Sequence, residues 1–137
     1  MTRDLILDLL GIPFVFGGTS KRGADCRWLS IQAAAAFGRY LADPWDDVAG
    51  RWSELTSEDI AEIIPYGWVE VDVDKAEPGD LFLLRITDEE MDALCHLTIL
   101  VEPGLMLTTC RGGTSRLERI TPAVRDRIHA CWRLPSC

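Results

Sequence analysis

Two residue types in this chain could do covalent chemistry together: a cysteine as nucleophile, and a histidine as the base that takes its proton and returns it to a leaving amine. The sequence holds five cysteines, Cys26, Cys95, Cys110, Cys131 and Cys137, and two histidines, His96 and His129. Cys26 has the most informative surroundings. It directly follows Asp25, a good helix N-cap, and after it Leu29, Ala33, Ala36, Phe37 and Tyr40 recur at helical spacing. A thiol in the first turn of a helix meets a partial positive charge and unpaired N–H groups, which favour thiolate over thiol. The same place also suits a small buried hydrophobe, so position alone leaves both readings open. In Cys95 to Val101, period 2 puts His96, Thr98 and Leu100 on one face, and Cys95, Leu97, Ile99 and Val101 on the other. Thr98 is modest in size, so a helix is expected to approach that first face closely. His129, beside Cys131 and Arg133 and opposite Ile128, Ala130, Trp132 and Leu134, is expected to face outward. Adjacent Cys95 and His96 point to opposite faces, which argues against a zinc site from Cys95, His96, Cys110 and Cys131, and no cofactor is expected.

The elements that must position these groups follow from periodicity and breakers. Asp4 to Leu10 reads as a short opening helix stopped by Gly11-Ile12-Pro13. Ile12 to Phe16 is an extended segment ending at Gly17-Gly18, and the helix carrying Cys26 follows a glycine-rich turn. Asp43 to Asp47 is an acidic turn, with Trp45 and Trp52 expected to fold back onto the core. Thr56 or Ser57 starts a short helix with Ile60, Ile63 and Ile64 on its apolar face. The texture then changes to strands: Trp68 to Val73, Leu81 to Ile86, Cys95 to Val101, Leu105 to Cys110, Leu117 to Ile120 and Ile128 to Leu134. Thr87 to Leu94 is an acidic connection. Helices first and then strands joined by short turns specify an α+β domain with an antiparallel sheet.

The stretch PFVFGGTSKRGADCRWL resembles the nucleophile motif of the NlpC-type cell-wall cysteine peptidases, a bacterial papain-like family, whose usual form is P-Y-V-W-G-G, a polar turn and G-x-D-C-S-G-L. Pro13, Val15, Gly17, Gly18, Gly23, Asp25, Cys26 and Leu29 match. HLTILVEPGLML is similar to the family's H-V-G-I-Y-x-G-x-x-x-M-I-H, and Pro78 to Leu81 stands where the family has P-G-D-L. The resemblance runs from Pro13 to Thr109. It implies a papain-like fold in which the nucleophile helix packs on the sheet, with Cys26 attacking and His96 serving as base and acid. The residue orienting that base falls 108 − 96 = 12 positions on, at Thr108, with Thr109 the neighbouring alternative. It also implies Asp25 as the contact for a substrate's amino end, beside Phe14, Arg27 and Trp28. Three departures converge there. Phe14 keeps the ring of a family tyrosine without its hydroxyl, Arg27 replaces serine, and Trp28 replaces glycine.

Length and composition bound the rest. The 137 residues, 47% hydrophobic, suffice for one domain, 1–137, with a real core. A net charge of −8 argues against a nucleic-acid or anionic-membrane surface, and no apolar run approaches a membrane span. An odd cysteine count without C-x-x-C spacing fits mostly free thiols and synthesis in a reducing cytoplasm, and Asp4 and Asp8 interrupt any signal-peptide core. The resemblance then implies a thiol protease (hydrolase) cutting peptide stems of bacterial peptidoglycan. A compact form without signal or binding repeats is expected to be virion-associated, delivered by a phage or phage-like tail and touching tail hub or tip proteins. The other readings are a structural or wall-binding tail-tip component with a weakened site, and an amidase or acyltransferase on other substrates.

Overall fold

The computed structural model describes residues 2–39, 59, 62–63, 67–85, 95–110 and 112–136, with the backbone alone at 95 and 96. The expected turn at 43–47, the segment Val48 to Leu55, the acidic connection Thr87 to Leu94 and nearly all of the helix expected from Thr56 lie outside them.

Helix α1, Thr2–Leu7, buries only Ile6, and two tight turns follow it, Leu9 N to Ile6 O at 3.0 Å and Leu10 N to Leu7 O at 3.2 Å. It stops short of the expected Leu10, and Leu9 instead enters the core from the turn. The chain then runs extended through Ile12 and Phe14 into a hairpin, β1 Thr19–Ser20 and β2 Gly23–Ala24. Two glycines here are dictated by space. A Cβ on Gly18 would lie 2.4 Å from the Gly23 carbonyl oxygen, and one on Gly23 would lie 2.4 Å from a Val15 methyl.

Helix α2, Cys26–Ala36, opens on Asp25. It ends in a Schellman turn: Arg39 N donates to Ala34 O at 3.1 Å and Gly38 N to Ala35 O at 2.9 Å, with Gly38 at φ +73°. Gly38 supplies the left-handed conformation, so the helix stops before the Tyr40 that apolar spacing suggested. Ala33 and Ala34 have no exposed surface, which lets the helix lie directly on the sheet.

The sheet has six antiparallel strands: β3 Val69–Glu70, β4 Leu81–Arg85, β5 Cys95–Glu102, β6 Leu105–Thr108, β7 Arg116–Arg119 and β8 Ile128–Arg133. Their order is β3-β8-β4-β5-β6-β7, so the last strand inserts beside β4 and separates it from β3. The segment read as a strand from Trp68 to Val73 pairs in register at Val69 and Glu70, and Val71 N donates to Cys131 O at 2.9 Å, before a 3-10 turn, Val73–Lys75, takes over, with the Asp72 side chain accepting Asp74 N–H. A short helix the sequence did not suggest, α3 Pro122–Asp126, precedes β8 and is capped by Thr121. The architecture is α+β, as expected.

Both faces of the sheet are covered. One carries the main core, where Leu29, Ala33 and Ala34 of α2 meet Leu81, Leu83, Leu97, Ile99, Leu107 and Ala130. The other carries a smaller cluster of Phe82, Leu84, Leu100 and Cys131, closed by Val71, Val73, Ile120, Val124 and Ile128. This corrects the expected side of approach: α2 packs on the Leu97–Ile99 face of β5, and Leu100 lies on the opposite face. Both faces of β5 are buried, so the modest size of Thr98 does not decide which of them the helix covers. His129, expected to face outward, is half-buried and bonds an exposed arginine, whereas Cys131, two residues on, is enclosed in the smaller core. Cys131 is 1% exposed. The pairing of β8 with β4 skips a residue, Leu83 with Ala130 and Leu84 with Ile128, so His129 sits at a bulge. There its Nδ1 accepts a hydrogen bond from Arg85 Nη2 at 2.9 Å, the guanidinium having only donors to offer. Among the described residues no helix is long and apolar enough to cross a membrane.

Candidate active site

Cys26 is the first residue of α2, where the glycine-tightened hairpin delivers the chain to the helix. It is 3% exposed and belongs to the main core cluster with Ile12, Ala24 and Leu29. Asp25 fixes this start. Its Oδ1 accepts the Trp28 N–H at 2.7 Å and its backbone carbonyl accepts the Leu29 N–H at 3.1 Å.

The carboxylate of Asp25 is itself 2% exposed, and burial pushes it up from its ordinary value. The Trp28 N–H, the Arg27 guanidinium, and the N–H groups of Gly17 and Arg27 pull in the other direction without cancelling that rise. Arg27 is buried as well, its Nη2 lying 3.6 Å from Asp25 Oδ2. The long cation that stands where the resembled motif has serine therefore turns back on its own neighbour, while Trp28 is half-buried at the edge of the core.

Phe14 is held by its backbone, donating its N–H to Gly113 O at 3.0 Å and bridging Ala24. Its ring meets Phe16 edge-to-face, with centroids 5.0 Å apart and planes at 85°. The clamp on this segment is Ser115, which sequence reasoning missed. Its hydroxyl accepts the Ile12 N–H at 2.9 Å and donates to Leu9 O at 2.5 Å, while its backbone exchanges bonds with Gly11 and Ile12. No local signal could mark it, because its partners lie about a hundred residues away in sequence.

His96 stands in β5 opposite Leu84 of β4. Its side chain, and with it the Cys26–His96 separation, lies outside the described residues. Thr108 ends β6 and pairs with Arg116 of β7. Continuing the register of Ile99 with Leu107 sets it next to Thr98 on the neighbouring strand, close along β5 to His96. Thr108 is 2% exposed, and Thr109 beside it is 1% exposed. The hydroxyls of Thr98 and Thr109 have no hydrogen-bond partner among the described residues.

The Pro78-Gly79-Asp80 turn has a support that the sequence reading did not assign. Asp80 is fully buried, accepts the Glu77 N–H at 2.8 Å, and takes a bidentate pair from Arg133 Nε and Nη2 at 3.0 and 2.9 Å. Gly79, at φ +99°, lies against Phe37, where a Cβ would come within 3.1 Å of the ring-bearing carbon. The turn thus ties β4, the end of α2 and the inserted strand β8 at one corner.

No family model and no curated protein matches the sequence. Solved structures do match the fold. An NLP/P60-family protein similar to a lipoprotein from Staphylococcus aureus superposes with a TM-score of 0.64 at 19% identity, over 99% of this chain. The fold is that of the NlpC/P60 proteins. An NlpC/P60-family protein from Bacillus cereus gives a TM-score of 0.63 at 21% identity over 96% of this chain, and NlpC1 from Trichomonas vaginalis gives 0.63 at 14% over 96%. The chain spans only 41%, 40% and 43% of those three proteins. Within the NlpC/P60 fold, α2 is the helix whose first residue is Cys26, packed on an antiparallel sheet that carries His96 and Thr108 on adjacent strands.

Proposed function

We propose that this domain is a cysteine peptidase that hydrolyses peptide stems of bacterial peptidoglycan, acting within a phage or phage-like tail. The observation that carries this reading is Cys26 at the capped first position of α2 in an NlpC/P60 fold. In the proposed reaction Cys26 Sγ gives its proton to His96 and attacks the carbonyl carbon of the scissile amide. The tetrahedral oxyanion collapses, the C–N bond breaks, and His96 returns the proton to the leaving amine. Water, deprotonated by His96, then cleaves the thioester and restores the thiol. Thr108 orients the imidazole, and no cofactor takes part. Synthesis in the cytoplasm, with delivery by tail hub or tip proteins, completes the proposal.

Digestion of purified peptidoglycan with muropeptide analysis tests it: the wild type should release stem fragments slowly and Cys26→Ala none. Release that survives Cys26→Ala overturns the mechanism. The second reading is a structural or wall-binding tail-tip component with the same fold. It is favoured by Phe14, which offers a ring against Phe16 and no hydroxyl, and by the filling of the helix start with Arg27. Binding to peptidoglycan without any release of fragments would select it.

A further inference from the structure

One contact between α2 and the sheet is directional. Ser30, 1% exposed, donates its hydroxyl to the backbone carbonyl of Leu97 in β5 at 3.3 Å. A serine inside a helix commonly bonds back to the carbonyl four residues earlier, which here is that of Cys26. Ser30 directs its single proton to the neighbouring strand instead. Around it the contact is apolar, with Leu29, Ala33 and Ala34 set against Leu97 and Ile99. Hydrophobic contact is non-directional, so it fixes how close the helix lies more firmly than where it lies along the strand. A hydrogen bond weakens steeply with misalignment, and it supplies that missing register.

The two ends of this bond adjoin the two groups of the proposed reaction. Cys26 stands one helical turn before Ser30, on the same side of α2 and about 6 Å along its axis. Leu97 directly follows His96 in β5. Resting on the peptidase reading above, we propose that Ser30 is a positioning residue, whose bond to Leu97 holds the start of α2 where Cys26 meets His96. Ser30 touches no reacting atom and acts only through the placing of the thiol. Proton transfer requires hydrogen-bond reach, so a slip of about 1 Å along β5 weakens the pair. An alanine at this position, like Ala33 and Ala34 further along the helix, would keep the close packing and lose the register.

The test reads the thiol itself and needs no substrate. Alkylation of Cys26 by iodoacetamide, mapped by mass spectrometry, is timed at about pH 6 and about pH 9, and the ratio of the two rates is taken within each protein. A general loosening of the fold would raise both rates together and leave the ratio. A thiolate held by an imidazolium still reacts at the lower pH, so the wild type should give a higher ratio than His96→Ala. Ser30→Ala should lower the wild-type ratio by about tenfold, the equivalent of a one-unit rise in the thiol pKa. Ser30→Thr, which keeps a hydroxyl, should restore the ratio, and Ser30→Val, equal to it in size, should not. If the wild type exceeds His96→Ala and Ser30→Ala matches the wild type, the inference is overturned and the peptidase reading stands. Should Ser30→Ala fail to fold, equal ratios in Ser30→Thr and Ser30→Val overturn it in the same way. A wild-type ratio no higher than that of His96→Ala means that the thiol has no imidazole partner. That result defeats the peptidase reading, and the inference with it.

Discussion

At the scale of single residues, Cys26, Cys110 and Cys131 are three chemically different thiols. Cys131 is enclosed in the smaller core, and its burial, reinforced by the nearby Asp80 carboxylate, pushes its thiol up to about 12. It should stay unlabelled near neutral pH. Cys110 is exposed and receives a hydrogen bond from Arg116 Nη1 at 3.6 Å, which makes it the competitor. Cys26 has the helix start and, in the proposal, an imidazole. Limited iodoacetamide labelling at about pH 6, mapped by mass spectrometry, should therefore modify Cys26 first. Faster labelling of Cys110 would count against Cys26 as nucleophile. Two substitutions probe the supporting groups. Phe14→Tyr returns a hydroxyl near the oxyanion position implied by the resemblance, and Thr108→His returns a stronger orienter for His96. Each should raise muropeptide release by about tenfold or more, given what one oxyanion donor contributes. No increase in either, with the protein folded, would favour the binding component.

At the scale of elements, the corner made by the Pro78–Asp80 turn is the place to test how α2, β4 and β8 are joined. Asp80→Ala removes a carboxylate with no exposed surface that satisfies both Arg133 and the Glu77 N–H. Arg133 keeps access to water, with 30% of its side chain exposed, so the loss should sit near the low end for a broken buried pair, about 3 kcal/mol. Gly79→Ala should also destabilise, by about 1–3 kcal/mol, since it combines a left-handed backbone with a contact against Phe37. Urea denaturation measures both, and a loss below about 0.5 kcal/mol in either would show that the corner carries little. Ser115→Ala leaves the Ile12 N–H without its acceptor at a buried site and should cost about 1–3 kcal/mol. Because that clamp holds the segment leading to Phe14, it should also lower any peptidase rate more than the stability loss alone would explain.

For the whole molecule, pH dependence follows from the two groups moved by burial. Both are raised, so each contributes stability that is present below its unfolded value and is lost as pH climbs through its folded value. For Cys131 the window runs from 9.0 to about 12, with a slope approaching about 1.4 kcal/mol per pH unit from this group alone. Cys131→Ala should be less stable at neutral pH, because it leaves a small void, yet show a flatter alkaline decline. An unchanged alkaline slope would place the loss elsewhere. For Asp25 the window starts at 3.8 and extends upward, so this carboxylate does not drive acid unfolding. The stability of wild type minus that of Asp25→Asn should fall as pH rises from about 3.5 to about 6. A rise over that range would mean that the pairing with Arg27 outweighs burial.

The sequence alone determined what is local. Asp25 as a cap with Cys26 directly behind it, the small-residue face of Ala33 and Ala34, and the order of the strands along the chain all rest on neighbours a few residues apart, where side-chain type and period suffice. The shared NlpC/P60 fold was legible for the same reason, because the motif around Cys26 is one continuous stretch. Where elements end was less legible: Gly38 stopped α2 by closing a turn that apolar spacing ignores. Tertiary structure decided everything that depends on which strand lies beside which. Insertion of β8 next to β4 buried Cys131 and brought Arg133 to Asp80, 53 residues away in sequence, so a period-2 face that looks polar in isolation became a second core. It also decided that Arg27 turns inward to Asp25. A long cation reads as a surface residue in a sequence, and only the packing of α2 against the sheet shows that the space around it is closed to water.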